Sequence, residues 1–323
     1  MEVSSKIKVV FAGSPHVSAK ILENLILNKD FDLKLVISQP PKRKKRGALI
    51  EDTEVTKVAK KNNVSVINPE RVDHEVKKIL DEIEFDILLV TAYGMMLPKW
   101  MLDMPNSAAV NIHFSLLPKL RGASPIHSAI LENQEITGLS YMQITEGLDQ
   151  GPIYKSFTHR IGNQDRQELE CNLLNLALEN TPKVLKQIFY KEIEGIRQNQ
   201  EDATYCHKIK KESGLVDVTK DPFDEIFNKF KAFIGCPGIF FIFKEKRIKI
   251  IKMHLDKSEN KELLKEKLND VFHVTTNGLI CFQGDKAIVI THLQFPGKNI
   301  IADASIKNGY KDFFNKKIEK TSL

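Results

Sequence analysis

Strand and helix signals alternate over the first two thirds of the chain, and strand-like runs broken by tight-turn dipeptides fill the last third. The first pattern predicts an α/β domain of mononucleotide, Rossmann-like type with a mainly parallel sheet. The second predicts a small antiparallel β-barrel of OB-like type. At 323 residues the chain is long enough for two packed domains, each with its own core. A hydrophobic share of 42% and a charged share of 28% are those of a soluble globular protein.

In order, "IKVVFAG" (7–13) is a buried strand and "SAKILENLILNK" (18–29) spaces its apolar residues as a helix does. "LKLVIS" (33–38) is the next strand. "VTKVAKKNNVSVI" (55–67) and "RVDHEVKKILDEIEFDILLVTAYG" (71–94) each read as a helix followed by a strand. "AAVNIHF" (108–114) is a further strand, "SPIHSAILENQ" (124–134) a short helix, and "TGLSYMQIT" (137–145) a strand of alternating character. Residues 166–190 are helical in composition, and Pro182 among them predicts a kink or two helices. The polar stretch 195–212 reads as a linker between a domain at 1–194 and another at 213–323. In the latter, "GIFFIFKEKRIKIIKMHL" (238–255) and "DVFHVTTNGLICFQGDKAIVITHLQF" (270–295) carry the strands, with "NG" and "GD" as turns.

Composition and missing motifs exclude several classes of protein. Cys171, Cys206, Cys236 and Cys281 are scattered and form no C-x-x-C, which points to a reducing cytoplasm without disulfides or a zinc ribbon. "MEVSSKIKVVFAG" lacks the plan of a secretory leader, and "DILLVTAYGMMLP" and "GIFFIF" are too short to span a bilayer. "FAGSP" has a single glycine where a nicotinamide site needs G-x-G-x-x-G, and there is no Walker loop or nucleophile elbow. None of the nine histidines has metal-ligand spacing, so no metal is expected. The net charge of +6 is concentrated late, since from Ser213 onward 19 Lys and Arg face 14 Asp and Glu. A basic last third suits a phosphate-bearing partner, although lysine-rich surfaces are also common in AT-rich genomes.

In a sheet wound this way, ligands collect at the carboxyl ends of the strands. Gly13-Ser14-Pro15, Ala92-Tyr93-Gly94 and Asn111-Ile112-His113 all fall at such ends. Residues two apart on a strand share a face, so Asn111 and His113 set an amide donor beside an imidazole. That pairing suits stabilising an oxyanion and moving a proton. The imidazole needs a carboxylate to orient it, and Asp149 in "EGLDQG" (146–151), flanked by Gly147 and Gly151, is the best candidate. Taken alone, Asn-x-His at a strand end is also a common self-satisfied polar pair, and "LDQG" an ordinary turn.

The run "NIHFSLLPKLRGASPI" (111–126) resembles the signature of the formyltetrahydrofolate-dependent formyltransferases, and "GLDQG" (147–151) is similar to that family's downstream aspartate motif. The likeness extends through "VVFAGSP" (9–15), "TAYGMMLPK" (91–99), "TGLSYMQITEGLDQGPIY" (137–154) and "ATYCHKIKKE" (203–212), toward members acting on methionyl initiator tRNA. The resemblance implies Asn111, His113 and Asp149 as a catalytic trio. It implies a folate pocket lined by Ser115, Leu116, Leu117 and Pro118, with backbone around Tyr93 and Gly94 as another wall. The formyl donor would be 10-formyltetrahydrofolate, with no metal. Asn111 and a protonated His113 would donate hydrogen bonds to the formyl oxygen, while Asp149 supports the imidazolium and relays protons.

The resemblance further implies tRNA contacts by Lys42, Arg43, Lys44, Lys45 and Arg46 on a loop at 39–55, and by Lys208 and Lys210. Lys42 stands where relatives carry arginine, Phe114 where they have a small residue, and "KAFIGCPGIFF" (231–241) lacks an expected asparagine and tryptophan. A cytoplasmic monomer, away from membranes, suffices for such a task. Two other readings stay open: formyl transfer to a small amine such as a nucleotide or amino sugar, and a non-catalytic RNA-binding α/β protein. The first leaves the match at 203–212 unexplained, and the second makes the trio a coincidence.

Overall fold

A strand buried on both faces needs apolar residues without alternation, and Ile87–Thr91 (β6) is such a run, with all five residues buried. The computed structural model describes residues 6–43, 50–256, 272–283 and 286–314, and places β6 in the middle of a seven-stranded sheet. The order is β10 (Ile153–Arg160), β9 (Ile136–Gln143), β7 (Ala108–His113), β6, β1 (Ile7–Gly13), β2 (Phe31–Ile37) and β5 (Val66–Ile67). The last five run parallel, and β9 and β10 are antiparallel additions at one edge.

Helices α1 (His16–Leu27), α2 (Glu54–Lys61) and α3 (His74–Asp81) return the chain between parallel strands. The latter two begin where a side chain satisfies a first-turn N–H: Thr53 accepts from Thr56 N, and Asp73 from Glu75 N. Val10, Leu35, Val76, Leu80, Leu88 and Met101 pack in one core layer. Each such side chain contributes about 1.5–3 kcal/mol on burial. Helices α4 (Lys99–Leu102) and α5 (Pro125–Leu131) are short. This is the mainly parallel α/β class that the alternating pattern predicts.

Helix α6 settles one half of an expectation. Arg166–Phe189 is a single helix of 24 residues with Pro182 inside it, so of the kink or two helices expected there, two separate helices are ruled out. Proline removes one N–H from the ladder, but tertiary packing outweighs the loss. Leu169, Leu173, Ala177, Thr181, Val184, Leu185 and Ile188 form one continuous buried face on both sides of it. The Thr181 hydroxyl also donates to the Ala177 carbonyl at 2.7 Å, directly before the proline.

The chain divides into two compact units. Met1–Ala129, Gln134–Asn163 and Glu168–Lys208 make the first; Ile130–Asn133, Gln164–Gln167 and Ile209–Leu323 make the second. Most of the stretch read as a linker, through Lys208, is therefore part of the first unit. The second unit carries a six-stranded antiparallel sheet. It runs β12 (Ile239–Phe243), β13 (Lys246–Asp256), β16 (Lys286–Gln294), β15 (Gly278–Gln283) and β14 (His273–Thr275), with β17 (Ile300–Ala302) paired to β16. Two helices that the sequence reading did not anticipate accompany it, α7 (Phe223–Ala232) and α8 (Asp303–Phe314). Tyr310, Phe313 and Phe314 on α8 are spaced to share a helix face, and stack against Phe243, Phe272 and Phe295. No helix among the described residues is long and apolar enough to cross a membrane.

Candidate active site

The carboxyl ends of β1, β6 and β7 lie side by side, with Gly13 opposite Thr91 and Val90 opposite Asn111. Strand alternation turns Asn111 and His113 to one face of β7 at this rim. Their surroundings differ. Asn111 is half-buried, and its carboxamide makes no hydrogen bond to any described residue. His113 is 5% exposed, and its Nε2 lies 2.8 Å from the Leu120 carbonyl oxygen. A carbonyl only accepts, so Nε2 carries the hydrogen and donates it, and Nδ1 is left as the nitrogen where a proton can come and go. Nδ1 faces Oδ2 of Asp149 at 3.6 Å.

Asp149 reaches this position from the turn between β9 and β10, with left-handed backbone (φ 50°) at the aspartate itself. Its Oδ2 accepts from Gly122 N at 2.8 Å. Gly122 belongs to β8 (Arg121–Gly122), a two-residue strand paired in parallel with β11 (Tyr205–Cys206). Here φ is +121° and a Cβ would stand 2.2 Å from the Cys206 carbonyl oxygen. Only glycine therefore lets this N–H approach and hold the carboxylate.

The loop after β7 is tied to β9 by one hydroxyl. Ser140 Oγ donates to the Ser115 carbonyl at 2.8 Å and accepts from Leu117 N at 3.0 Å. Ser115 Oγ donates to the Lys119 carbonyl at 2.6 Å. Ser115 and Leu117 are buried, Leu116 and Pro118 half-buried, and the Leu117–Pro118 peptide is cis. Phe114 is buried as well, so its bulk lies in packing. Tyr93 is placed differently from a lining side chain. Its ring sits in the core layer, burial pushes its phenol up to about 12, and its carbonyl accepts from Gln39 Nε2 at 2.6 Å. Gly94 follows at φ +77°, where a Cβ would stand 2.7 Å from the same Gln39 amide. What residues 93–94 turn to the rim is backbone. The buried Thr91 Oγ1, at the end of β6, has no hydrogen-bond partner among the described residues. This orphaned hydroxyl, the unengaged Asn111 amide and the half-buried Leu116 and Pro118 fit a flat ligand rich in ring nitrogens and oxygens.

The family model for formyl transferase matches residues 5–185, and that for the formyl transferase C-terminal domain matches residues 208–311. The chain belongs to the formyl transferase family. A methionyl-tRNA formyltransferase of Francisella philomiragia is 35% identical over 308 residues, covering 94% of this chain and 96% of the relative. Another, from Mycoplasmopsis pulmonis, is 37% identical over 246 residues, covering 76% and 84%. A solved sugar 3N-formyl transferase, in the presence of dTDP and 5-N-formyl-THF, has a similar fold. Its TM-score is 0.65 at 22% identity, covering 92% of this chain and 100% of that one.

Other groups of this formyl transferase family member lie as follows. Lys42–Arg43 (β3) and Ile50–Glu51 (β4) form an antiparallel two-residue ladder, so the basic stretch opens as a ribbon where a loop was expected. Lys42 Nζ donates to Gln39 Oε1 at 2.7 Å. Lys44, Lys45 and Arg46 lie outside the described residues. Lys208 and Lys210 are exposed. Among the described residues no three His, Cys, Asp or Glu side chains are grouped as metal ligands. A cleft of about 410 Å³ lined by Lys6, Lys29, Asp30, Lys183, Lys186 and Tyr190 lies where β1 and β2 begin. That is the opposite end of the sheet from the trio, and Lys186 there is paired with Asp30 at 2.8 Å.

Sequence reasoning missed the groups that hold the trio. Leu120 acts through its carbonyl, Gly122 through its N–H, and Gln198 through an amide that donates to the carbonyls of Asp149 (2.9 Å) and Gly151 (2.7 Å). The glycine in "KLRG" was the visible signal, but its meaning depends on Cys206, far along the chain.

Proposed function

We propose that the chain transfers the formyl group of 10-formyltetrahydrofolate to the free α-amino group of methionine carried by initiator tRNA, giving N-formylmethionyl-tRNA for translation initiation in the cytoplasm. The observation that carries this reading is the pair His113 Nδ1 and Asp149 Oδ2, 3.6 Å apart, beside an unengaged Asn111 carboxamide on the same strand face. The acceptor is supported by relatives named methionyl-tRNA formyltransferase, one of them aligned over 94% of the chain. The donor is supported by the family and by the similar fold seen with 5-N-formyl-THF.

The bound donor supplies an electrophilic formyl carbon. Asn111 Nδ2 donates to the formyl oxygen as negative charge builds there, a contribution of about 2.7–4 kcal/mol to lowering the barrier. His113 acts through Nδ1, because Nε2 is committed to Leu120. The 3.6 Å gap to Asp149 is longer than a direct hydrogen bond, so a proton on Nδ1 stays available to the formyl oxygen while the carboxylate balances its charge. Asp149 takes the proton released by the attacking amine and returns one to the departing folate nitrogen, which leaves neutral.

Leu116 and Pro118 offer apolar surface to the pterin, with Ser115, Leu117 and the backbone of Tyr93 and Gly94 completing the pocket. Lys42 and Arg43 on the ribbon, the basic run 44–46 that follows them in sequence, and Lys208 and Lys210 neutralise tRNA phosphates. A monomer suffices. The test is purified chain with formyl donor and either charged initiator tRNA or small amines. Formylated methionyl-tRNA is the expected product. Formylation of small amines alone would overturn the acceptor, and no product with either would overturn the enzyme.

A further inference from the structure

Arg121 is fully buried, at 0% exposure, yet no carboxylate among the described residues lies within ion-pair distance of it. Its donors end on neutral oxygens. Nε and Nη2 both donate to Gln198 Oε1, at 3.1 and 2.7 Å. Nη1 donates to Gln200 Oε1 at 2.8 Å and to the Tyr205 hydroxyl at 3.3 Å. The guanidinium carbon also lies 5.9 Å from the centre of the Tyr205 ring. A buried cation without a counterion is unfavourable, and here four of the five guanidinium N–H groups are taken up by these oxygens.

The consequence lies on the far side of Gln198. A guanidinium can only donate, so the side-chain oxygen of Gln198 must face Arg121 and its nitrogen must face away. That nitrogen donates to the carbonyls of Asp149 and Gly151, at 2.9 and 2.7 Å. These two carbonyls pin the turn in which a φ of 50° aims the Asp149 carboxylate at His113. Arg121 also directly precedes Gly122, whose N–H holds that same carboxylate. One dipeptide of β8 thus governs both the backbone and the side chain of Asp149.

We propose that Arg121 and Gln198 are positioning residues for formyl transfer: the buried guanidinium orients the Gln198 amide, and the amide clamps the left-handed turn that presents Asp149 to His113. This rests on the reading of Asp149 as a catalytic group. Without the clamp the turn is free to relax toward ordinary negative φ, which swings the carboxylate away from the imidazole.

The test uses the full chain with Gln198→Met, which keeps the length but no hydrogen bonds. It also uses Gln198→Glu, which keeps an acceptor for Arg121 but turns a second acceptor toward two carbonyls. Both are expected to lower kcat by about 10²-fold, the effect of a displacement near 1 Å, with KM for donor and tRNA within about 2-fold of the parent. The number of donor molecules bound per chain stays at the parental value in both, whereas a mere loss of folded protein lowers it in step with turnover. If the methionine variant loses its far-UV circular dichroism, Gln198→Asn carries the same expectation. Parental kcat in Gln198→Met, a loss of kcat matched by an equal loss of donor bound per chain, or full activity in Gln198→Glu would each overturn the proposal. Asp149→Ala run alongside separates the two ideas. Parental turnover there defeats the reading of Asp149 itself, whereas an inactive Asp149→Ala beside an active Gln198→Met defeats the clamp alone.

Discussion

Because the Leu120 carbonyl can only accept, the hydrogen on Nε2 of His113 is fixed, which leaves Nδ1 and the carboxylate it faces for the proton movement proposed above. Asn111 has no structural partner among the described residues, so its amide serves nothing in the fold. Asn111→Ala is expected to lower kcat by about 10²–10³-fold while the thermal midpoint stays where it was, measured by steady-state kinetics and calorimetry on the same preparation. Gly122→Ala behaves differently. A Cβ there meets the Cys206 carbonyl at 2.2 Å in a backbone that disfavours any side chain. Strain of about 1–3 kcal/mol lowers the melting midpoint by about 2–4 °C per kcal/mol, and activity falls with it. A Gly122→Ala variant that melts with the parent would contradict the close approach. Asn111 and His113 were legible because a period of two is written directly into a strand, and Asp149 because glycines flank it. Leu120, Gly122 and Gln198 were not, since two act through backbone and the third through partners distant in sequence. The resemblance implies a pocket wall of backbone at Tyr93, and the ring of that residue is core.

In α6 the chain tolerates a proline because seven buried side chains on one face anchor the helix on both sides of it. Pro182→Ala restores the missing N–H without disturbing that face. It is expected to raise stability by up to about 3 kcal/mol in denaturant titration, and a loss of stability would show that the ring itself is packed to advantage. Read from sequence, Pro182 predicts a kink or two helices, because the packing that keeps one helix comes from residues outside it. In α8, Asn308-Gly309 carries the signature of a hairpin turn and yet lies inside a helix. Its aromatic residues decide the matter by stacking on the sheet. The β3–β4 ribbon begins with Lys42 and Arg43, and any phosphate neutralised there is bound in a salt-dependent way. Replacing both by alanine is expected to flatten the dependence of log KM for tRNA on log salt by about 0.7–0.9 for each phosphate left without its cation. An unchanged slope would remove the ribbon from tRNA binding.

Across the whole chain, the α/β class was legible because alternating strand and helix signals leave few ways to cover both faces of a parallel sheet. The strands of the second unit were legible from their turns, and its helices were not. The stretch expected as a linker serves the first unit through Gln198 and β11, a pairing of two residues with two that no periodicity announces. What the two family matches and the rim geometry have in common is a single prediction about chemistry: an imidazole and a carboxylate meet where an amide is left free. Single-turnover formyl transfer to charged initiator tRNA, in the parent and in Asp149→Ala at saturating donor, bears on it most directly. The parent forms formylmethionyl-tRNA and the variant does so at least about 10²-fold more slowly while still binding donor. Equal rates in the two, with the donor bound equally well, would contradict the assignment.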